Sequence, residues 1–487
     1  MTIQNNLSSR AAENLLGSNV MLEGVIKANS DKFDVKSNPD GIINLGVAEN
    51  QLMTAELREI MSSVDTVDTK LFGYGESPSG SRLLRSHFAN NIFNRYFKPN
   101  EPVLGEHMVL TAGCSATVDN FTFCICDPGD GILITTPFYG GFNTDIMVKS
   151  KARVIEVNLD GVSPFGLEQI HLMQAAVDNA RDEGTRVRAF VLSNPHNPLG
   201  RTFPRELIIA FLKFASKNQI HILFDEIYAL SVFDYALTGK AKEEQPDNNP
   251  FISVLSIPNI EQYCEKELVH VAYGMSKDFC LNGFRCGVLL SPWNNELLDA
   301  MRSIAVFTWM SSTTEAMLTK LLSDPIVIED FTKTNQARLA ESYTYTVDTL
   351  RKHNIPYLPA QGGHFIWIDL RQFIPSNLVS AAQAGERSPE YLVWRAMLKE
   401  GVYVNLGEAF SESKVGFFRL SFSVPVPMLK LGIERMIRAC RWAFLSTTSS
   451  SSSFSSGVHP TATISADTPP SSSTASDSDS EEEQANR

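Results

Sequence analysis

Short apolar runs alternate with amphipathic stretches between about residues 44 and 444, and this alternation predicts the fold. The apolar runs are rich in Val, Ile, Leu or Phe, and most end near Gly, Pro or Asp, as buried strands do. They are HMVLTAG, GILITTP, ARVIEVNL, VRAFVLSNP, IHILFDE and LVHVAYG. Between several of them lie the helical stretches TVDNFTFCIC, LEQIHLMQAAVDNARDEG and PRELIIAFLKFASKNQ. Alternation of this kind is typical of βαβ units, so we predict a mainly parallel sheet with helices on both faces, over roughly residues 73–295.

A second pattern follows in about residues 330–445 and predicts a smaller α/β domain. A long polar helix, TKTNQARLAESYTYTVDTLRKHN, precedes the strand-like runs HFIWIDL and FFRLSFS and a closing helix, MLKLGIERMIRACRWAF. The remaining tail is rich in Ser, Thr and Pro and ends in acidic residues, so it cannot bury enough apolar surface to order itself. We therefore predict an N-terminal arm with part of the small domain (1–50), a large domain (51–310), a small domain (311–445) and a disordered tail (446–487).

Composition narrows the classes of function. The chain has 487 residues, a formal net charge of −13 and 43% hydrophobic residues, which is typical of a globular enzyme-sized protein. It has no basic run suited to nucleic acid and no apolar segment suited to a signal peptide or a bilayer. The seven cysteines are scattered, without the paired spacing of a zinc site. We expect a cytoplasmic protein with reduced cysteines, no bound metal, and no nucleic-acid or membrane partner.

Residues that can hydrogen-bond or carry charge follow several predicted strands. Asp225 ends IHILFDE, Asn197 lies between prolines in SNPHNPLG, and Cys114 and Ser115 follow MVLTAG at the start of a helix. Lys277 follows LVHVAYG and a serine. Each has an ordinary explanation as a cap or a turn, but ligands of open α/β sheets bind at the carboxyl ends of strands. The set therefore predicts a ligand site at that edge.

These residue types fit the needs of pyridoxal phosphate. The cofactor requires an amine for its aldehyde, an acid for its pyridine nitrogen, donors for its ring oxygen, a flat group for its ring and a basic clamp for its phosphate. The residues that supply these needs in turn are Lys277, Asp225, Asn197 with Tyr228, Tyr139, and Arg285 with Ser115.

The chain resembles the class I/II aminotransferases of fold type I, and among them the 1-aminocyclopropane-1-carboxylate synthases and their synthase-like relatives. The resemblance covers about residues 40–440. The motifs that carry it are INLGVAENQL, VLTAGCSA, DPGDGILITTPFYGGF, NPHNPLG, FDEIYALSVF, SKDFCLNGFRCG and FFRLSFS.

The resemblance implies a role for each matching residue. Lys277 would bind the aldehyde covalently, Asp225 would keep the pyridine nitrogen protonated, and Tyr139 would stack on the ring. Asn197 and Tyr228 would bind the ring oxygen. Cys114, Ser115 and Arg285 would hold the phosphate, and Ser276 would also contact the cofactor. Tyr74 would reach the phosphate of a partner subunit, which implies a homodimer with shared active sites.

The resemblance also implies an amino-acid substrate. Arg419, in FFRLSFS, would bind the α-carboxylate as a bidentate pair, with Asn197 nearby and Ala48 closing over it. Lys277 would then act as the base for the α-proton.

The chain departs from the family pattern at three places. Gly274 stands where the family often has a Ser or Thr that touches the phosphate. His364 stands in GGHFIW, where an apolar residue is usual. The stretch AVFTWMSSTTEA, residues 305–316, replaces the region where plant synthases recognise their sulfonium substrate. The first departure removes one hydroxyl contact to the phosphate, and the other two leave the substrate open.

Three functions therefore stand as alternatives. Transamination to a 2-oxo acid is the first prediction. Cyclisation, or elimination of a β or γ substituent including C–S cleavage, is the second. The third, from a different class, is an inactive protein that keeps the fold for interaction.

Overall fold

The computed structural model describes residues 7–14, 20–245, 250–374 and 388–450, except for the side chains of 443–450. Its α-helices are α1 Ser9–Asn14, α2 Val20–Ser30, α3 Thr54–Ser62, α4 Arg82–His87, α5 Cys114–Ile125, α6 Gly141–Met147, α7 Gln169–Asp182, α8 Arg205–Asn218, α9 Gly239–Glu243, α10 Asn295–Ile304, α11 Ser312–Leu322, α12 Pro325–Lys352, α13 Pro389–Lys399 and α14 Val426–Ser450; the turn from Phe88 to Phe97 is π-helical. Its strands are β1 Ile43–Asn44, β2 Met108–Thr111, β3 Gly131–Thr135, β4 Arg153–Val157, β5 Val187–Ser193, β6 His221–Asp225, β7 Val269–Gly274, β8 Gly287–Leu290, β9 Tyr357–Leu358, β10 Phe365–Asp369, β11 Val402–Tyr403, β12 Asn405–Leu406 and β13 Phe417–Ser421.

Seven strands form the central sheet in the order β2–β8–β7–β6–β5–β3–β4. The neighbours from β4 to β7 are parallel, whereas β8 is antiparallel to both β7 and β2. All six predicted strands form, and the mostly parallel sheet of a fold type I α/β protein is confirmed. The strand β8 was not predicted, although it completes the sheet between β7 and β2.

Helices cover both faces of this sheet, which explains why its strands are continuously apolar. On one face, Val118 and Phe121 of α5 share a core with Leu223 and Ala272. On the opposite face, Phe211 of α8 belongs to another core. Strand residues that point to that face, such as Phe190, Phe224 and Val271, belong to it as well. The two packed faces hold the strand ends, and the loops after them, in fixed positions.

A four-stranded antiparallel sheet, β12–β13–β10–β9, has its own core with α13, α14 and the second half of α12. The long helix α12 contributes Phe331 to the first core and Leu339 and Leu350 to this one. The N-terminal segment joins it because β1 pairs in parallel with β11. The domain boundaries stay a prediction.

Helix α14 continues to Ser450, beyond the predicted closing helix and into the first residues of the predicted tail. The rest of that tail, 451–487, lies outside the described residues. Within the described part of the chain, no helix has the length and apolar character needed to cross a membrane.

A buried arginine of α14 fastens the N-terminal segment to that helix and to the residue before β11, and its loss should lower stability. Arg435 is 6% exposed and donates to the carbonyl oxygens of Pro39 at 2.7 Å, Gly41 at 2.6 Å and Gly401 at 2.9 Å. We expect Arg435→Ala to lower the free energy of unfolding by about 2–3 kcal/mol, because several buried acceptors lose a charged donor. Urea unfolding measures this change. The control Arg438→Ala removes an exposed arginine 3.4 Å from Glu400, and it should change stability little. Equal effects of the two substitutions would contradict the fastening role.

Candidate active site

The carboxyl ends of the parallel strands and the start of α5 enclose a cavity of about 250 Å³. Of the residues predicted from the sequence, all but Tyr74 line it. They are Ala48, Cys114, Ser115, Tyr139, Asn197, Asp225, Tyr228, Ser276, Lys277, Arg285 and Arg419. Residues far apart in sequence meet here because parallel strands end at one edge of the sheet.

The amine of Lys277 lies in the loop after β7. It donates to the carbonyl oxygen of Ala48 at 2.6 Å, and Asn282, with its amide oxygen turned toward the amine, accepts from it at 3.2 Å. Burial and, secondly, the positive charge of Arg419 lower the pKa of Lys277 to about 8. A substantial fraction of the amine is therefore neutral near physiological pH, as a nucleophile or proton acceptor requires.

The carboxylate of Asp225 ends β6 and is 7% exposed. Ser193 lies 3.4 Å from its Oδ2, whereas Oδ1 is buried without a hydrogen-bond partner among the described residues. Burial raises the pKa of Asp225 to about 7, although a backbone amide at Ile227 opposes the shift. A buried carboxylate oxygen without a donor is costly, so the site suits a ligand that brings a protonated nitrogen.

The N-terminus of α5 faces Arg285 at one end of the cavity. The helix begins at Cys114, with Ser115 exposed in its first turn. Gly113 has φ 99°, and a Cβ there would collide with the guanidinium of Arg285. Backbone N–H groups at a helix start, a hydroxyl and an arginine together form an anion site.

Asp145 of α6 also lines this end of the cavity and was missed in the sequence analysis. Its carboxyl is hydrogen-bonded to the Ser115 hydroxyl, and burial raises its pKa to about 7. Nothing in the surrounding FNTDIM distinguishes this acid from one on an ordinary helix face, so no sequence signal was available.

The absence of a side chain at position 274 has a steric cause. A Cβ on Gly274 would lie 2.7 Å from the carbonyl oxygen of Cys286 and 2.9 Å from Sγ of Cys114. The thiol of Cys114 in turn donates to the carbonyl oxygen of Tyr273 at 2.9 Å. A Ser or Thr at position 274 does not fit beside this sulfur.

Arg419 is held rigidly at the other end of the cavity. It is 3% exposed and donates to Oδ1 of Asn197 at 2.8 Å and to the carbonyl oxygen of Gly46 at 2.7 Å. The rings of Phe365 and Phe410 lie 4.8 and 4.7 Å from its guanidinium carbon. Its Nε has no partner among the described residues, and burial lowers its pKa. The unpartnered donor suits an anionic ligand.

Two tyrosines, Tyr139 and Tyr228, line the cavity, and their hydroxyl groups are protonated at neutral pH. Burial raises the pKa of Tyr139 to about 12 and raises that of Tyr228 further. The ring of Tyr228 packs edge-on against His364 and Phe365, at 5.4 and 5.3 Å between centroids. Both tyrosines can therefore donate hydrogen bonds at neutral pH.

Tyr74 lies away from this cavity. Its side chain is 90% exposed and stacks on Trp309, with 5.1 Å between the ring centroids. Its predicted role in a partner's site stays a prediction. In the part of the chain that the structure describes, no group of three or more His, Cys, Asp or Glu side chains is arranged to hold a metal ion.

Comparison with known families accounts for this arrangement. A family model described as aminotransferase class I and II matches residues 40–436. The chain belongs to the class I and II aminotransferase family. Its cofactor is pyridoxal 5′-phosphate. The cavity fits that group, because it offers a lysine amine, a buried carboxylate oxygen without a donor, and a helix N-terminus beside an arginine.

Curated relatives of this aminotransferase-family protein carry the names of synthases. A "1-aminocyclopropane-1-carboxylate synthase-like protein 1" from Takifugu rubripes is 34% identical over 428 residues, which are 86% of this chain and 65% of that protein. The chain thus spans less than two thirds of that relative's length. "1-Aminocyclopropane-1-carboxylate synthase 4" from Oryza sativa subsp. japonica is 32% identical over 435 residues, which are 84% of each chain.

Solved structures support the fold. The aspartate aminotransferase from Rhizobium meliloti superposes with a TM-score of 0.69 at 20% identity, over 90% of this chain and 99% of that one. The Thermus thermophilus aspartate aminotransferase with maleate superposes with a TM-score of 0.67 at 19% identity. The match covers 89% of this chain and 100% of that one.

The close approach of Gly113 to Arg285 predicts an effect on cofactor phosphate binding. We expect Gly113→Ala to weaken pyridoxal phosphate binding at least about tenfold, because the new methyl group displaces the guanidinium and strains a positive φ. Absorbance titration measures the affinity, and titration with pyridoxal, which lacks the phosphate, should show little change. The control is Gly283→Ala in the Arg285 loop, where a Cβ would meet nothing within 4 Å. Unchanged phosphate-dependent affinity in Gly113→Ala would contradict the anion site.

Proposed function

We propose that this protein is a pyridoxal-phosphate-dependent enzyme that acts at the α-carbon of an amino acid and transfers the amino group to a 2-oxo acid. One observation carries the proposal: Lys277 and Arg419 line the same cavity, near enough that the charge of Arg419 lowers the pKa of the amine. A carboxylate bound by Arg419 would place the substrate within reach of a partly neutral lysine.

Arg419 supplies recognition of the α-carboxylate. Asn197 and Gly46 orient Nη1 and Nη2, and two phenylalanine rings exclude water from the guanidinium faces. The unpartnered Nε completes a fork for a carboxylate. The amine of Lys277 donates a hydrogen bond to the carbonyl oxygen of Ala48. This bond holds the backbone of residues 46–48 beside the proposed substrate position.

Lys277 moves the proton of the α-carbon. When bound, pyridoxal phosphate supplies an aldehyde for the substrate's amine and a ring that accepts electrons from the α-carbon. Lys277 takes the α-proton as a neutral amine and returns it to a neighbouring atom as an ammonium. Asp225 would keep a proton on the ring nitrogen, Tyr228 and Asn197 would bind the ring oxygen, and Tyr139 would cover the ring. Cys114, Ser115, Ser276 and Arg285 would hold the phosphate.

The names of the curated relatives favour a second candidate. They are 1-aminocyclopropane-1-carboxylate synthases or synthase-like proteins, so cyclisation or elimination from a β or γ position, including C–S cleavage, is the alternative. It shares proton removal by Lys277 and differs in the later steps. An inactive interaction protein is disfavoured because the buried charges of Asp225 and Arg419 are costly to keep without a ligand.

Product analysis in deuterated water tests the proposal. The holoenzyme is incubated with a panel of amino acids, sulfur-containing conjugates and a sulfonium amino acid, with and without a 2-oxo acid. Exchange of the α-proton shows action at the α-carbon. Amino transfer to the 2-oxo acid supports transamination, whereas a cyclopropane amino acid or a released thiol identifies the alternative. No exchange with any compound would contradict both.

Substitution of Arg419 should separate substrate recognition from cofactor binding. Arg419→Lys keeps the charge but loses the two-pronged geometry, and a charged hydrogen bond is worth about 1.5–3 kcal/mol. We expect kcat/KM for the amino acid to fall by roughly one to two powers of ten. The absorption band of the Lys277-bound cofactor should not change.

The matched control is Arg371→Lys, since Arg371 also lies over a phenylalanine ring, Phe417 at 4.9 Å, but is exposed outside the cavity. Equal kcat/KM for Arg419→Lys and the wild type would remove Arg419 as the carboxylate anchor. Loss of the cofactor absorption band in Arg419→Lys would instead show that Arg419 is needed for cofactor binding.

We further propose that the chain forms a homodimer in the cytoplasm and that Tyr74 reaches the partner's cofactor phosphate. The support is a group of exposed apolar side chains that lie close in sequence to Tyr74 or to its stacking partner Trp309, since Phe72 is 74%, Val306 54% and Phe307 79% exposed. Exposed clusters of this kind commonly mark protein interfaces. All seven cysteines are free, which supports a reducing compartment.

A charge placed in this cluster should weaken the dimer. We expect Phe307→Asp to shift the protein toward monomer in sedimentation velocity, because a carboxylate would be buried without a partner. The control Leu167→Asp alters a side chain that is 52% exposed outside the cluster. An unchanged sedimentation coefficient in Phe307→Asp would place the interface elsewhere.

A further inference from the structure

A buried carboxylate follows the lysine directly. Asp278 is 2% exposed, and three donors surround it. The backbone N–H of Leu230 lies 2.9 Å from Oδ2, the Tyr273 hydroxyl 3.1 Å from Oδ2, and the Ser231 hydroxyl 2.6 Å from Oδ1. All three donate to the carboxylate and so favour its ionised form, although burial raises the pKa of Asp278 to about 7. The proposed chemistry does not otherwise use this acid.

This carboxylate joins two segments that carry cavity residues. Leu230 and Ser231 belong to the turn that follows Tyr228, and the N–H of Ser231 donates to the carbonyl oxygen of Tyr228 at 3.0 Å. Asp278 itself is covalently next to Lys277. The separation between the Tyr228 turn and the Lys277 loop is therefore fixed by hydrogen bonds to one side chain.

His364 extends the connection to the small sheet. Its Nε2 lies 3.1 Å from the Ser231 hydroxyl, and its carbonyl oxygen accepts from the N–H of Phe422 at 2.9 Å. It directly precedes β10, in which Trp367 pairs with Arg419 of β13. The network thus reaches both Lys277 and the strand pair that holds Arg419.

The proton positions in this network follow from its geometry. The single hydroxyl proton of Ser231 goes to the carboxylate at 2.6 Å, so Ser231 accepts from Nε2–H of His364. Nδ1 then carries a lone pair and has no partner among the described residues. Burial lowers the pKa of His364 well below its usual value, which agrees with a neutral ring. A leucine of similar size would avoid the unpartnered nitrogen, so packing alone does not account for histidine here.

We propose that Asp278, Ser231 and His364 form a positioning unit that sets the Tyr228 hydroxyl relative to the Lys277 amine, with His364 as its positioning residue. The inference rests on the proposed function, because these two groups matter through the cofactor they bind. His364 touches the ring of Tyr228, at 5.4 Å between centroids, and acts on the cofactor site through that contact and through Ser231.

Absorption titration of the holoenzyme without substrate tests this unit. In the proposed function, the Tyr228 hydroxyl would stabilise the ionised ring oxygen of the Lys277-bound cofactor. If this hydroxyl is displaced, the deprotonated form of the cofactor becomes less stable, and the pH midpoint of its absorption band should rise. Loss of one hydrogen bond corresponds to a shift of about 0.4–1 pH unit. We expect this rise in His364→Leu and in Ser231→Ala. His364→Gln, which keeps a donor near Nε2, should restore the wild-type midpoint.

The matched control is Ser421→Ala. Ser231 and Ser421 are both fully buried, and Ser421 pairs across the sheet with Phe365, next to His364, but its hydroxyl has no partner among the described residues. A shift in Ser231→Ala with none in Ser421→Ala supports the unit. Wild-type midpoints in both His364→Leu and Ser231→Ala, or an equal shift in the control, would overturn it. If His364→Leu does not fold, Ser231→Ala and Ser421→Ala decide the question.

Failure of this inference is distinguishable from failure of the proposed function. The titration needs only the bound cofactor, whereas the proposed function is read by α-proton exchange with amino acids. Absence of exchange would leave the titration result standing as a statement about Tyr228 and Lys277. A wild-type midpoint in the variants would leave the amino-acid chemistry standing.

Discussion

The guanidinium of Arg419 is buried where three distant segments of the chain meet. It belongs to β13, yet it donates to Asn197, in the loop after β5, and to Gly46, just after β1. Leaving a buried charge without its partners costs several kcal/mol, so the three segments must be arranged in a way that keeps these two hydrogen bonds. The relative placement of the central sheet, the small sheet and the N-terminal segment therefore depends on the same side chain that faces the cavity.

Burial in the cavity also shifts the pKa values of several ionisable groups toward neutral pH. Burial raises the pKa of Asp225 and of Asp145 to about 7, and it lowers that of Lys277 to about 8. Acids and an amine with such similar proton affinities exchange protons at little cost near neutral pH, as general acid–base catalysis requires. A protein that kept this fold only for interaction would gain nothing from such groups, and their burial would lower its stability.

Much of this arrangement could be predicted from the sequence, because strand ends leave local signals. Asp225 and Lys277 each follow an apolar run, and parallel topology brings such ends to one edge. The strand β8 was missed because it has only four residues and no alternating pattern, although Asn282 and Gly283 signal a turn before it. Asp145 was missed because its partner, Ser115, lies on another helix. The bond from Arg419 to Gly46 joins residues 373 apart and ends on a backbone carbonyl oxygen, which no residue pattern encodes.

The departures from the family pattern differ in what they change. Gly274 is a consequence of packing, because the sulfur of Cys114 occupies the space that a hydroxyl side chain would need. In the proposed function, the phosphate would therefore rely on Ser115, Ser276 and Arg285, which line the same cavity.

The stretch 305–316 differs in another way. In the part of the chain that the structure describes, none of its residues lines the cavity. Phe307 is instead largely exposed, near the Tyr74–Trp309 stack. In a single chain these residues therefore do not border the cavity that is proposed to hold the substrate. If the proposed dimer forms, this stretch lies on the surface that Tyr74 shares, and a direct contact between it and a substrate would be made across the subunit interface.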